Sequence, residues 1–190
     1  MTETCGDIDS VRRHVKAAEW RRIGIDGVDA VGRAHLAKVL SRALGCPALD
    51  VDNYLHQNQG GYVEFIDYPA LGSALSSLPA FVLSGACLRE VLSNLGTTLD
   101  GNIYIKRFRE GLWADEEGCV FPEGVDAAVE MFAANRALNS RYFDDMPEQA
   151  TEEDEEVSPH LVDEVMRYHD TYLPQETADL VFERDDEANT

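Results

Sequence analysis

The stretch Arg22-Ile23-Gly24-Ile25-Asp26-Gly27-Val28-Asp29-Ala30-Val31-Gly32-Arg33-Ala34-His35-Leu36 decides how the rest of the chain is read. A short apolar strand runs into a loop bounded by Gly27 and Gly32, and a helix follows. In that setting a Gly-x-x-x-x-Gly loop presents backbone N–H groups and the positive end of a helix dipole to an anion. The phosphate-binding version of the motif continues with Lys and then Ser or Thr. Here those positions hold Arg33 and Ala34. Gly27, Val28, Asp29, Ala30, Val31, Gly32, Arg33 and Ala34 therefore form the candidate phosphate-binding loop, and the functional question is whether it still works. Two glycines at this spacing also make a tight strand-to-helix turn with no chemical role.

Outward from the loop, Leu36, Ala37, Leu40, Ala43 and Leu44 fall on one face of a helix over 33–44, which Gly45 ends. Upstream, Ile8, Val11, Val15 and Ala18 give residues 7–20 one apolar stripe, so residues 1–21 read as a helix laid on the domain's surface. Downstream, strands are expected at 48–52, 80–84 and 102–107, with helices at 71–78 and 87–95 between them. Ala80-Phe81-Val82-Leu83-Ser84 is the kind of apolar run that is buried on both faces. Alternating strands and helices imply a parallel sheet covered on both sides.

Residues 53–68 form a long polar connection, and residues 108–121 are charged and irregular. Pro122 is expected to open a helix carrying Val125, Val129, Phe132 and Arg136. A helix over 159–172 and an edge strand over 178–183 close the domain, with residues 184–190 as a disordered tail. Residues 144–156 hold eight acidic residues in thirteen and no basic one, the composition of a solvated, disordered segment or of a docking tail for a basic protein partner.

The chain has 190 residues and a formal charge of -20, from 36 acidic against 16 basic residues. Such a field repels nucleic-acid phosphates and anionic membranes alike, so neither is an expected partner. No apolar run reaches the ~20 residues that span a bilayer, and no charged-then-apolar leader opens the sequence. Cys5, Cys46, Cys87 and Cys119 are widely spaced and read as buried thiols of a cytoplasmic protein. The histidines, including His160 and His169 nine residues apart, lack metal-site spacing, so no metal ligand is assigned.

Several ordered motifs resemble the uridine kinase branch of the P-loop nucleoside and small-metabolite kinases, over residues 22–183. Besides the loop, these are Val51-Asp52-Asn53-Tyr54, similar to that family's Asp-x-Phe-Tyr; Asp67-Tyr68-Pro69, similar to Asp-His-Pro; and Arg167-Tyr168-His169-Asp170-x-Tyr172-x-Pro174 with Ala178-Asp179, similar to its Tyr-His-x-x-Tyr-x-Pro-x-x-x-Ala-Asp tail. The resemblance implies an α/β, three-layer P-loop NTPase fold with a mostly parallel, roughly five-stranded sheet. It also implies ATP and Mg²⁺ as cofactors, and 108–121 as a lid-like segment.

By the same resemblance Asp52 stands where the family has the carboxylate that takes the acceptor hydroxyl's proton, although a carboxylate at a strand end also serves as a turn cap. Arg33 would contact phosphate, while Asp67, Tyr68, Tyr168 and His169 would hold the acceptor, and Arg107 and Arg109 would belong to the lid. Asp67-Tyr68-Pro69 is equally a turn-forming sequence, and Tyr68 replaces the family's histidine.

Three departures cluster on the nucleotide side. Arg33 keeps a positive charge in a bulkier, planar form, Ala34 lacks the hydroxyl that ligates Mg²⁺, and Ser84 stands where the family has an acidic residue. The expectation is a kinase-like protein with impaired phosphoryl transfer that retains nucleotide, phosphate or metabolite binding. A divergent active kinase, or an interaction module using its acidic loop, is the alternative. The expected partners are a nucleotide or small phosphorylated ligand and a second copy in a homodimer.

Overall fold

The computed structural model describes residues 2–56, 60–144 and 159–186. Its central strand, β2 (Arg22–Asp26), is followed by the glycine-bounded loop and then by α2 (Arg33–Leu44), whose bounds agree with the sequence expectation. Chain order around this unit is β1 (Glu3–Cys5), α1 (Ile8–Ala17), β2, α2, β3 (Ala48–Asp50), α3 (Tyr68–Ser76), β4 (Phe81–Ser84) and α4 (Leu88–Leu95). Then come β5 (Gly101–Arg109), β6 (Leu112–Trp113), α5 (Val125–Asp144), α6 (Pro159–Tyr172), α7 (Pro174–Thr177) and β7 (Leu180–Asp185).

The sheet has seven strands, not the five expected, in the order β1-β7-β5-β2-β4-β3, with β6 pairing β5. All pairs are parallel except β5 with β6. Two corrections follow. The stretch read as an edge strand at 178–183 runs to Asp185 and lies between β1 and β5, because β1 covers its outer side. Residues 184 and 185, expected in a disordered tail, are strand, and the N-terminal segment read only as a surface helix contributes β1 to the same sheet.

Alternation along the strands builds two cores. Ile23, Ile25, Val82, Ile103 and Ile105 face α1 and α2, where Val11, Val15, Leu36 and Leu40 are wholly buried. Phe81 and Leu83 point the other way, onto Leu71 and Leu75 of α3, Leu88 and Val91 of α4, and Tyr168 of α6. Each such aliphatic side chain contributes roughly 1.5–3 kcal/mol by leaving water. The three-layer architecture follows from strands that are apolar on both faces.

Parallel pairing aligns the strand ends, with Ile25 opposite Ser84 and Asp50 opposite Ser84. Asp26, Asp50 and Ser84 are thereby brought to one edge of the sheet, the edge at which open parallel sheets form ligand crevices. α5 extends over this edge and joins α6 through Arg167, whose guanidinium donates to Asp126 at 2.9 Å and to Asp163 at 2.7 Å. The helix expected to open at Pro122 begins three residues later, at Val125. The segment expected to be irregular at 108–121 includes β6 and a 3-10 turn at Glu116–Gly118. Of the acidic stretch 144–156, only Asp144 lies within the described residues, as the last residue of α5.

Candidate ligand site

β2 ends on Asp26, whose side chain is buried at 4% exposure. One carboxylate oxygen accepts the Gly27 N–H at 2.8 Å and the other accepts the Tyr168 hydroxyl. Burial pushes the Asp26 carboxyl above the ordinary range, against the opposing pull of the Tyr168 hydrogen bond. Gly27 turns the chain at φ 150°, and a Cβ there would fall 3.0 Å from Val31 Cγ2 and 3.1 Å from the Ile105 carbonyl oxygen. The positive φ favours glycine, and a Cβ would crowd both atoms enough to push them aside. Ala30 takes a left-handed conformation at φ 57°, a strained setting for a residue with a side chain.

Arg33 opens α2 and then doubles back. Its Nη1 donates to the carbonyl oxygens of Gly27 at 2.5 Å and Val28 at 3.0 Å, while Nη2 lies 3.7 Å from Asp29 and 3.8 Å from Asp52. The guanidinium is buried and spans the loop. A second arginine reaches the loop from outside: Arg184 donates Nη1 to Val31 O at 2.8 Å and pairs with Asp186 at 3.2 Å. Arg184 covers Gly32 so closely that a Cβ on that residue would meet Nη1 at 2.8 Å.

Asp52 sits on a 3-10 turn, Val51–Tyr54, that follows β3. Asp50 caps this turn by accepting the Asp52 N–H at 3.3 Å, which ends the strand two residues earlier than expected. Burial and the neighbouring Asp52 push the Asp50 carboxyl up. The Tyr62 hydroxyl donates to Asp52 Oδ1 at 2.5 Å and accepts the Ala86 N–H at 3.2 Å. Glu164 of α6 fixes this tyrosine by accepting the N–H groups of Tyr62 and Val63, each at 2.7 Å.

Between these groups and the α5–α6 pair lies a cavity of about 580 Å³, within the range of small-molecule sites. Val28, Asp29, Arg33, Asp52 and Tyr62 form its polar end. Leu55, Ala128, Met131, Phe132, Leu161, Val162, Val165 and Met166 form its walls, and Glu117 and Gly118 bring the 108–121 segment to its rim.

The other residues singled out from the sequence do not line this cavity. Asp67 caps α3 by accepting the Ala70 N–H at 2.9 Å, and Tyr68 donates to Val63 O at 2.9 Å. Tyr168 is buried against Asp26 and accepts the Arg89 N–H. His169 is buried too; Nδ1–H donates to Val165 O at 2.7 Å, which leaves Nε2 to accept from Tyr104 at 2.8 Å. Desolvation pulls its pKa down, so the ring is held neutral in a structural network. Arg107 is bound to Asp115 at 2.5 Å, and Arg109 is exposed, 3.5 Å from Asp186.

Sequence reading missed Arg184 and Glu164. Arg184 reaches Val31 and Glu164 reaches Tyr62 and Val63 across more than a hundred residues of chain, so no local pattern announces these contacts.

The donor set does not fit Mg²⁺. Ala34 has no side-chain oxygen to offer, Ser84 directs its hydroxyl at Leu49 O at 3.4 Å, and the described residues contain no cluster of three His, Cys, Asp or Glu able to hold a metal ion. Anion binding is better served, because the N–H groups of Arg33, Ala34 and His35 precede the first helical bond, from Leu36 N–H to Gly32 O.

Fold and site together define an α/β protein with a glycine-bounded strand-to-helix loop beside a largely apolar cavity. Neither a protein-family model nor a curated protein sequence matches the chain at a significant level. Among solved structures it is similar to a possible uridine kinase from Bacillus stearothermophilus, at 15% identity over 92% of this chain and 96% of that one, with a TM-score of 0.49. It is also similar to the shikimate kinases of Bacteroides thetaiotaomicron and Aquifex aeolicus, each at 15% identity and a TM-score of 0.40. The first covers 86% of both chains, the second 85% of this chain and 86% of its own.

Proposed function

We propose that this chain is a kinase-like binding protein. It takes a small molecule in the cavity beside Asp52, holds nucleotide phosphates weakly at the 27–34 loop, and is impaired in metal-dependent phosphoryl transfer. The observation that carries this reading is the position of Arg33, whose guanidinium donates to Gly27 O and Val28 O. A lysine ammonium is a compact charge that can follow a phosphate, whereas this planar group is tied to the loop's own carbonyls. A triphosphate must share or displace it. Ala34 and Ser84 supply no replacement for the missing metal ligands.

The test is a calorimetric titration of ATP with and without Mg²⁺, run on the wild type and on Arg33→Lys/Ala34→Thr, beside a phosphoryl-transfer assay on nucleosides and simple alcohols. The wild type should bind ATP weakly and without regard to Mg²⁺. The double variant should gain at least about tenfold in Mg²⁺-dependent affinity, since one restored ligand and a freed loop are worth more than about 1.4 kcal/mol. Robust turnover by the wild type would defeat the proposal.

A second reading, an active divergent kinase, is favoured by the half-exposed Asp52 carboxylate, aimed by Tyr62 at the cavity. In that case the acceptor's oxygen attacks the terminal phosphorus, the bond to the diphosphate leaving group breaks, and the acceptor's proton passes to Asp52. Asp52→Asn would then abolish turnover with nucleotide affinity unchanged.

A further inference from the structure

The cavity discriminates among acceptors by charge and polarity. Among the described residues, its charged lining consists of Asp29, Asp52 and Glu117 against the guanidinium of Arg33, which is already engaged by Gly27 O and Val28 O. A monophosphate or carboxylate entering it would face three carboxylates with no uncommitted cation among the lining residues. Along α5 and α6 the walls are Ala128, Met131, Phe132, Leu161, Val162, Val165 and Met166, with Asn135 as their one group able to hydrogen-bond a polyhydroxylated ligand. A sugar lying along these walls could pair a hydroxyl with Asn135 and would leave most of the others unpaired, which is costly.

Met131 and Phe132 stand at the mouth with exposures of 61% and 48%, large apolar side chains that lack cover from the described residues. At the polar end, the Tyr62 hydrogen is spent on Asp52 Oδ1, while Oδ2, 3.8 Å from Arg33, keeps lone pairs for one incoming donor.

We infer that the cavity binds an uncharged, predominantly apolar alcohol, its hydroxyl donating to Asp52 and its body lying along α5 and α6. This deepens the acceptor half of the function proposed above and does not depend on the loop's nucleotide affinity.

The test uses 1-octanol, octanoate and uridine as probes of the full chain, by ligand-observed NMR without nucleotide. Octanol should bind saturably at one site, octanoate at least tenfold more weakly, and uridine more weakly than octanol. Phe132→Asp, at a position 48% exposed, should weaken octanol at least tenfold, and the milder Phe132→Ser should weaken it in the same direction with a urea midpoint close to that of the wild type. Asp52→Asn should narrow the preference for octanol over octanoate, because it removes a negative charge. Octanoate or uridine binding as tightly as octanol would overturn the inference, and so would octanol affinity indifferent to Phe132→Asp. Because ATP is left out, these outcomes are independent of the ATP titration: loss of octanol binding with weak ATP binding intact rejects the alcohol alone, and the reverse result rejects the nucleotide reading alone.

Discussion

On the loop side of Arg33, Asp26 accepts from Gly27 and Tyr168, and Val31 O accepts from Arg184. Arg33 itself closes on Gly27 O and Val28 O. On the cavity side, Asp52 has one oxygen bound by Tyr62 and the other facing Arg33 at a distance too long for a hydrogen bond. Internal partners satisfy the first region, as in a folded core, whereas the second leaves acceptor capacity next to uncovered apolar side chains, as in a binding site. The difference teaches that a glycine-bounded loop can be tied into the architecture while the neighbouring pocket stays available.

The largest test of this contrast is Tyr168→Phe. It removes a donor from a buried carboxylate and an acceptor from Arg89 N–H, and should cost about 2–3 kcal/mol in urea unfolding. A loss near zero would mean that Asp26 is not held as described. The same carboxylate gives a pH signature. Burial raises its pKa above 3.8 in the native state, so in the window upward from that value the native chain retains a proton that the unfolded chain has lost. Stability contributed through Asp26 therefore falls as pH rises through the window, and Asp26→Asn should gain on the wild type over the same interval. A difference constant with pH would contradict this.

On the cavity side, Glu164→Ala should cost about 1–2 kcal/mol by freeing two backbone donors. It should also loosen Tyr62, seen as faster hydrogen exchange at residues 62 and 63; unchanged exchange would separate Glu164 from the site. The smallest effect is expected of Arg167→Ala. Its pairs with Asp126 and Asp163 are exposed, so the loss should stay below about 1 kcal/mol and shrink in high salt. A larger, salt-independent loss would show that the α5–α6 junction relies on this side chain for packing.

The features legible in the sequence are those whose causes are local. The unit from Arg22 to Leu44 combines an apolar strand, two glycines and a periodic helix, and each signal needs only its near neighbours. β1 escaped notice because three residues, of which only Thr4 favours a strand, are too short to show a pattern and become a strand by pairing with Leu180, Val181 and Phe182. The polar residues Glu183, Arg184 and Asp185 suggested an edge and a tail, although pairing with Lys106, Arg107 and Phe108 carries them through the sheet. At the site, Asp52 could be read from its motif, but the direction taken by the Arg33 guanidinium could not, since it depends on carbonyls presented by the folded loop. Tyr168 and His169 fall in a conspicuous motif, yet the fold spends them on Asp26 and Tyr104.

The pairing of β1 with β7 also imposes an order on assembly. Glu3 and Leu180 are partners separated by 177 positions, and a ribosome adding about 5–20 residues per second takes on the order of ten to thirty seconds to cross that interval. During this time β1 has no neighbour, and the loop lacks the clasp of Arg184 on Val31 O. The 27–34 loop therefore reaches its final shape only after β7 has been synthesised and docked.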